Sequence, residues 1–353
     1  MILEGQFCNT LNEECLFDFN RNYWYGDFME DLRLVDGYQY LLAGDFFIDI
    51  IRTAKTLLIN KNLYTNYYAS SADELYDIVS DYEWTYEKLN AITTDIYIDH
   101  NNNNRRDPGD QFGFTETSFW DGSISFSVSG NPPFISRDED GVPTITVHEG
   151  DRANQLVHAL IGLFKSNSAG IGVYATASDC LLAFTENQAM VTSSQIGALE
   201  NPILRSMEND SAILPHPMLF ASDKKYTTAI HDITEMGAIL VTSTDLEFIS
   251  TVIEVLNRET ANILMPKYYK ESLQVQCVDD AKSAAMIDII HDNFDNSFIL
   301  AYNHILDRCV FESFSYAMQD EREYSAVFAP YRVRVNQTLK SKVKQFQKKY
   351  VVD

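Results

Sequence analysis

Residues 99–110 read DHNNNNRRDPGD, with oxygen-bearing side chains at alternating positions: Asp99, Asn101 and Asn103. The backbone carbonyl of Arg105 falls next in step, and Asp107 and Asp110 take the ninth and twelfth places. That spacing is the ligand pattern of an EF-hand-like loop, in which hard oxygens wrap a calcium ion. Two positions depart from the pattern. The sixth is Asn104 instead of glycine, a mild departure because asparagine tolerates the left-handed backbone, and the twelfth is Asp110 instead of a bidentate glutamate. The same residues also read as a plain polar turn, since asparagine favours turns. If calcium binds, its role is structural, pinning the helix before the loop to the strand after it.

A second chemistry lies in the aromatic content of 20 Tyr, 21 Phe and 3 Trp. Aromatic faces stack on the C–H faces of sugar rings, while Asp, Asn, Gln and Arg pair with the hydroxyls. The same side chains dominate protein cores, so each aromatic carries both readings. No HExxH, GxSxG, P-loop or Rossmann fingerprint occurs, and the chain reads as non-enzymatic. Five cysteines, Cys8, Cys15, Cys180, Cys277 and Cys309, are widely spaced without a CxxC pair, which fits small buried hydrophobes better than a metal or redox centre.

The 353 residues exceed one typical domain and point to two compact units. Lys and Arg number 27 against 51 Asp and Glu, a formal charge of -24 that repels phosphate backbones and excludes nucleic acid as an expected partner. The opening MILEGQFCNTLNEE has neither a basic nor an apolar leader region, and no later window reaches the length of a membrane span.

These groups need elements to hold them. Asp36-Gly37 between two apolar runs predicts a hairpin, and 54–60 (AKTLLIN) a short buried strand. Ser71 with Glu74 has capping-box spacing before a helix, and Thr85 caps a second helix that runs into the asparagine-rich loop. Residues 121–147 predict short strands with a turn at Asp140-Gly141; a helix follows over about 151–165 and a strand near 188–193. Thr244 with Glu247 predicts a further capped helix whose stripe is Phe248, Val252, Ile253 and Leu256. Pro266 in MPKYY is expected to end that helix, with more helix over 281–319. In the last helix Leu339, Val343, Phe346 and Tyr350 share a face, leaving Lys340, Lys344, Lys348 and Lys349 in solvent. Strands interleaved with helices make this an α/β chain.

Five local patterns occur in an order that resembles solute-binding proteins of carbohydrate-type ABC transporters, a Firmicutes-like branch in particular. They are YWYGDF (23–28) before DGYQYLLAGD and LLINKNL (57–63), then DYEWTYEKL (81–89), the 99–114 segment ending DQFGF, FTENQAMV (184–191), and AILPHPM (212–218) ahead of the Tyr226–Asp232 crossing. Asn187 stands where that family usually has glycine. The resemblance implies a two-lobed periplasmic-binding-protein-like fold of type II with discontinuous lobes joined by hinge strands: residues 1–70 plus 229–280, and 71–228 plus 281–353. The first lobe would be N-terminally incomplete, without the family's signal and first strands. It further implies an extracellular, lipoprotein-like, monomeric binding component that closes on a sugar or similar small polar ligand and delivers it to ABC permease subunits. Trp24, Tyr25, Trp120, Asp121, Gln195 and Tyr226 would then face the cleft, and Trp84 would serve packing. Other readings are a calcium-stabilised surface or adhesion protein and a truncated orphan binding protein.

Overall fold

The computed structural model describes residues 2–117, 119–167, 170–274, 281–295 and 297–350; Cys277 lies outside them. Its centre is a sheet built from β1 (Lys55–Asn60), β2 (Tyr97–Ile98), β3 (Gln111–Glu116), β6 (Ile171–Val173), β7 (Ala189–Gln195) and β8 (Ser211–Leu214). A separate hairpin pairs β4 (Ile135–Arg137) with β5 (Pro143–Ile145). The main order is β2-β3-β7-β1-β8, with β6 on β3. β3 runs parallel to β6 and β7, whereas β1 is antiparallel to both its neighbours, pairing Leu57 with Ser193 and with Leu214. Leu57, Leu58, Ile59 and Phe114 are wholly buried. β1, β3 and β8 are buried along nearly their whole length, so both faces of these strands are covered.

Most of the local signals hold. Thr85 Oγ1 accepts from Lys88 N at 3.3 Å to cap helix Tyr86–Thr93, and the Asn60 side chain caps Lys61–Tyr68 through Leu63 N at 3.0 Å. Asn187, in the place of the family's glycine, sits at φ 62 and accepts from Asn60 Nδ2 at 2.8 Å, so it takes the left-handed conformation that glycine would supply. Trp84 is wholly buried with its indole N–H on Pro215 O at 2.9 Å, and so serves packing. In the last helix, Tyr324–Tyr350, the side chains of Leu339, Val343 and Phe346 are buried together.

Four expectations fail for identifiable reasons. Gly37 has φ 77, but the flanking residues form no ladder; Leu42 instead bridges Gly237 across the chain. The SISFSVSG stretch is helix Phe119–Ser129, not strand. Residues 125–130 are buried, and burial on all sides leaves no polar face to reveal a helical period. Pro266 does not end its helix. A π-turn at Thr260–Leu264 joins helix Leu246–Glu259 to helix Met265–Gln274, and the helix runs on through Pro266 by shifting its hydrogen-bond register just ahead of the proline. Both capping boxes are replaced: Asp245 caps helix Leu246–Glu259 through Phe248 N at 3.0 Å, and Glu74 turns to Ser70 and Tyr64.

Outside the sheet, the chain crosses twice beside β1. Lys55 N donates to Ala229 O at 2.8 Å and His231 N to Thr53 O at 3.2 Å, flanking the Ala54–Ile230 bridge. Among the described residues, 2–54 and 229–264 contain no named strand, only isolated bridges such as Phe7–Leu240 and Trp24–Gly44.

Candidate functional site

The strand directions bring the carboxyl ends of β3 and β7 to one edge with the amino end of β1, and Lys55 pairs with Gln195 there. A crevice outside the carboxyl ends of strands is where open α/β sheets take ligands. At this edge is a cavity of about 220 Å³ walled by Lys55, Glu116, Ser193, Gln195 and Asn201, with Ser178 from the start of helix Ala177–Thr185 and His231 from the second crossing.

Glu116 is the chemical centre of the wall. Only 5 % exposed, it accepts at Oε1 from Thr117 N at 2.8 Å and Thr117 Oγ1 at 3.0 Å, while Oε2 is buried with no hydrogen-bond partner. Burial pushes its carboxyl above the ordinary range, against the pull of Lys55 and of the Thr117 donors. In the core His216 stacks on Phe126 at 4.6 Å, and burial holds its imidazole neutral, down to about 3. A buried acceptor ringed by hydroxyl and amide groups suits a ligand that donates hydrogen bonds.

A larger cavity of about 450 Å³ is lined by Arg21, Trp24, Tyr25, Asp27, Lys225 and His291, among others. Trp24 is held by its indole N–H on Glu254 at 2.9 Å and edge-on to Phe17 and Phe19; Tyr25 donates to Asp45 Oδ1 at 2.8 Å. Tyr226 is buried, stacked on Tyr82, with its hydroxyl on Val79 O at 2.8 Å. Trp120 and Asp121 belong to helix Phe119–Ser129, their side chains lying outside the described residues. Of the six aromatic and polar candidates, then, Trp24 and Tyr25 share one cavity and Gln195 lines the other. Glu116, Lys55, Ser193 and His231 were not anticipated. The one local signal was a carboxylate ending the otherwise buried β3 run.

The 99–110 loop connects β2 to β3. Asp99 accepts from Asn103 N and Asn104 N, Asn101 from Asn103 N, and Asn103 from Arg105 N; Asn101 and Asn103 both donate to Asp107. Asn102 and Asn104 take φ 57 and 59. Tyr97 Oη stands 2.9 Å from both Arg105 O and Asp110 Oδ2, and Asp110 is wholly buried with Oδ1 unpartnered. Among the described residues no group of three or more His, Cys, Asp or Glu side chains is placed to hold a metal ion.

No protein-family model and no curated protein matches this chain. Solved structures do match in fold. The GacH receptor of Streptomyces glaucescens, solved unliganded and with acarbose, is 12 % identical with a TM-score of 0.57 over 96 % of this chain and 80 % of its own. The maltose/maltodextrin-binding domain MalE of Bdellovibrio bacteriovorus, bound to maltotriose, is 14 % identical with a TM-score of 0.57 over 96 % and 81 %. An ABC transporter solute-binding protein of Thermotoga lettingae bound with α-D-tagatose is 12 % identical with a TM-score of 0.59 over 95 % and 81 %. The fold is therefore the two-lobed, periplasmic-binding-protein-like α/β fold.

Proposed function

We propose that this chain is the non-enzymatic substrate-binding component of an ABC importer, closing its lobes on a small hydroxyl-rich ligand such as a sugar or oligosaccharide. The observation that carries this reading is Glu116: a buried carboxylate with one unmatched oxygen at the carboxyl end of a sheet strand, beside the chain crossings. An unpaired buried acceptor costs about 1–3 kcal/mol, which a hydroxyl donor restores. The fold neighbours that bind acarbose, maltotriose and tagatose support a carbohydrate. In this reading the protein is an extracellular, membrane-anchored monomer that hands its ligand to permease subunits, and no described helix is long and apolar enough to cross a membrane. We put the division of the lobes at the Thr53–Lys55 and Ala229–His231 crossings, ahead of the expected boundary at residue 70, because β1 pairs with β7 and β8 in one sheet.

A thermal-shift screen against a glycan library tests this. A ligand at a hundred times its Kd stabilises the fold by about 2.7 kcal/mol. The expected outcome is a sugar-dependent rise in Tm that Glu116→Gln reduces at least ten-fold in affinity, about 1.4 kcal/mol. A library without a hit, or a hit indifferent to Glu116, refutes it.

The 99–110 loop carries a second proposal, a structural calcium ion held by Asp99, Asn101, Asn103, the Arg105 carbonyl, Asp107 and Asp110. The unpartnered, buried Asp110 Oδ1 supports it, as does the hard-oxygen character of the set. Calcium is expected to raise the Tm over that in chelator, and Asp110→Asn to abolish the difference. Equal melting temperatures leave a polar turn. A calcium-dependent melt without any small-ligand response would favour an adhesion protein instead, and a non-cooperative melt an orphaned fragment.

A further inference from the structure

The last helix, Tyr324–Tyr350, segregates charge. It holds seven of the chain's 27 Lys and Arg and none of its 51 Asp and Glu. Leu339, Val343 and Phe346 turn inward, and on the opposite side Lys340, Lys344 and Lys348 follow one another at four-residue steps, all exposed. These steps set a cation about every 6 Å along one ridge of the helix. Among the described residues the one ion pair on this helix is Arg334 with Asp307 at 3.3 Å, so the three lysines of the ridge meet no carboxylate.

Folding does not account for the ridge. Like charges four residues apart work against a helix, so the steps from Lys340 to Lys344 and from Lys344 to Lys348 both weaken the element that carries them. The helix dipole favours cations only within the last turn, which covers Lys348 and leaves Lys340 and Lys344 unexplained. A merely solvated helix face carries interspersed signs; this one carries a single sign, on a chain of net charge -24.

The chemistry of the ridge selects its partner. Lysine is depleted at protein–protein interfaces, where aromatic residues and arginine carry the contact. Among the described residues, the one large apolar side chain exposed on this helix is Val333. A cluster of lysines on an amphipathic helix is instead what anionic phospholipid headgroups attract, and the attraction acts within a Debye length, about 8 Å at physiological salt. A charged surface touching the ridge therefore feels its lysines fully and the more distant carboxylates little. Toward the middle of the helix, Asp138 and Glu149 share a cavity of about 470 Å³ with Arg332 and Lys340 and offset them in part, which centres the contact on Lys344.

We infer that the outer face of this helix, from Lys340 to Lys348, is an electrostatic docking surface for an anionic phospholipid bilayer, seating the protein on the membrane by one side. The inference is independent of which ligand the cleft takes.

The test is co-sedimentation of the 353-residue chain with vesicles of phosphatidylglycerol mixed with phosphatidylcholine, and with pure phosphatidylcholine. Helix Leu246–Glu259 exposes an apolar stripe, Phe248 by 65 % with Val252 and Leu256 beside it, and adsorption there is indifferent to lipid charge; the pure phosphatidylcholine arm reads it. Expected is binding to the anionic vesicles that fades as salt rises from about 0.1 to about 0.5 M, with little on the neutral ones. The triple variant Lys340→Gln, Lys344→Gln, Lys348→Gln should bind the anionic vesicles roughly 100-fold more weakly, about five-fold for each lysine. A control with the same change in net charge, Lys88→Gln, Lys224→Gln, Lys267→Gln, should bind like the parent. Salt screening of the parent tests the same point without any variant. Equal binding to both vesicle types, binding unmoved by salt or by the triple variant, or no binding to anionic vesicles at low salt overturns the inference. So does capture of soluble poly-glutamate by a chain that ignores vesicles, an outcome that assigns the ridge to an acidic protein.

Discussion

A single carboxylate shows how burial turns an ordinary side chain into a sensor of its surroundings. Glu116 is held above its usual range because burial disfavours the charged form more than Lys55 and the neighbouring donors favour it. The folded state then binds this proton more tightly than the unfolded chain does. Its contribution to stability is full below the unfolded carboxyl value of 4.5 and is lost as pH rises through the folded value. Glu116→Gln removes that loss. In urea unfolding the variant should match the parent near pH ~4 and be the more stable of the two near pH ~7; a constant difference across this range refutes the upward shift. Apart from its place at the end of β3, none of this was legible from the local sequence, where Glu116 is one of 51 acidic residues. Asn187 stood out in the sequence only as a departure from the glycine of the resembled family; its left-handed backbone, at φ 62, came from the structure.

At the scale of elements, close approach decides what a strand tolerates. A Cβ on Gly113, in the middle of β3, would stand 2.2 Å from the Thr93 carbonyl oxygen at the end of helix Tyr86–Thr93. Gly113→Ala is therefore expected to destabilise the protein by about 1–3 kcal/mol through overpacking, seen as a lowered Tm with an unchanged cooperative transition. An unaltered melt would mean that the strand and helix separate freely. The elements that announced themselves in the sequence were those with a boundary residue or one wet face: β7, the Thr85-capped helix and the Asp140-Gly141 turn. Helix Phe119–Ser129 did not, because a segment buried on every side carries no periodic contrast.

Across the whole molecule, His291 joins distant parts of the chain. It ends helix Ala281–His291 and stands 3.3 Å from Asp45 Oδ1 and 2.8 Å from Asp292 Oδ1, with Tyr25, Tyr269 and Phe294 around the ring and Asp288 on its own helix. Burial pulls its pKa down, but the two partner carboxylates outweigh burial and hold it above the usual imidazole value. A raised imidazole stabilises fully below the unfolded value of 6.5 and loses that contribution as pH rises through the folded value. His291→Gln should therefore lower the Tm more at about pH 6 than at about pH 8; an equal loss at both would show that the ring contributes packing alone. What the sequence determined by itself was the α/β class, β1, β7 and the longer amphipathic helices, the acidic charge and the order of patterns that resembled a binding protein. These live in spacings of two to four residues or in composition, which a linear reading can see. What only the tertiary structure decided was the pairing of β1 with β7 and β8, the meeting of Glu116 with Lys55 and Gln195, and the outward turn of the Phe248 stripe. Each depends on contacts between residues far apart in the chain, and a helix or strand pattern specifies which side chains share a face without specifying what that face will meet.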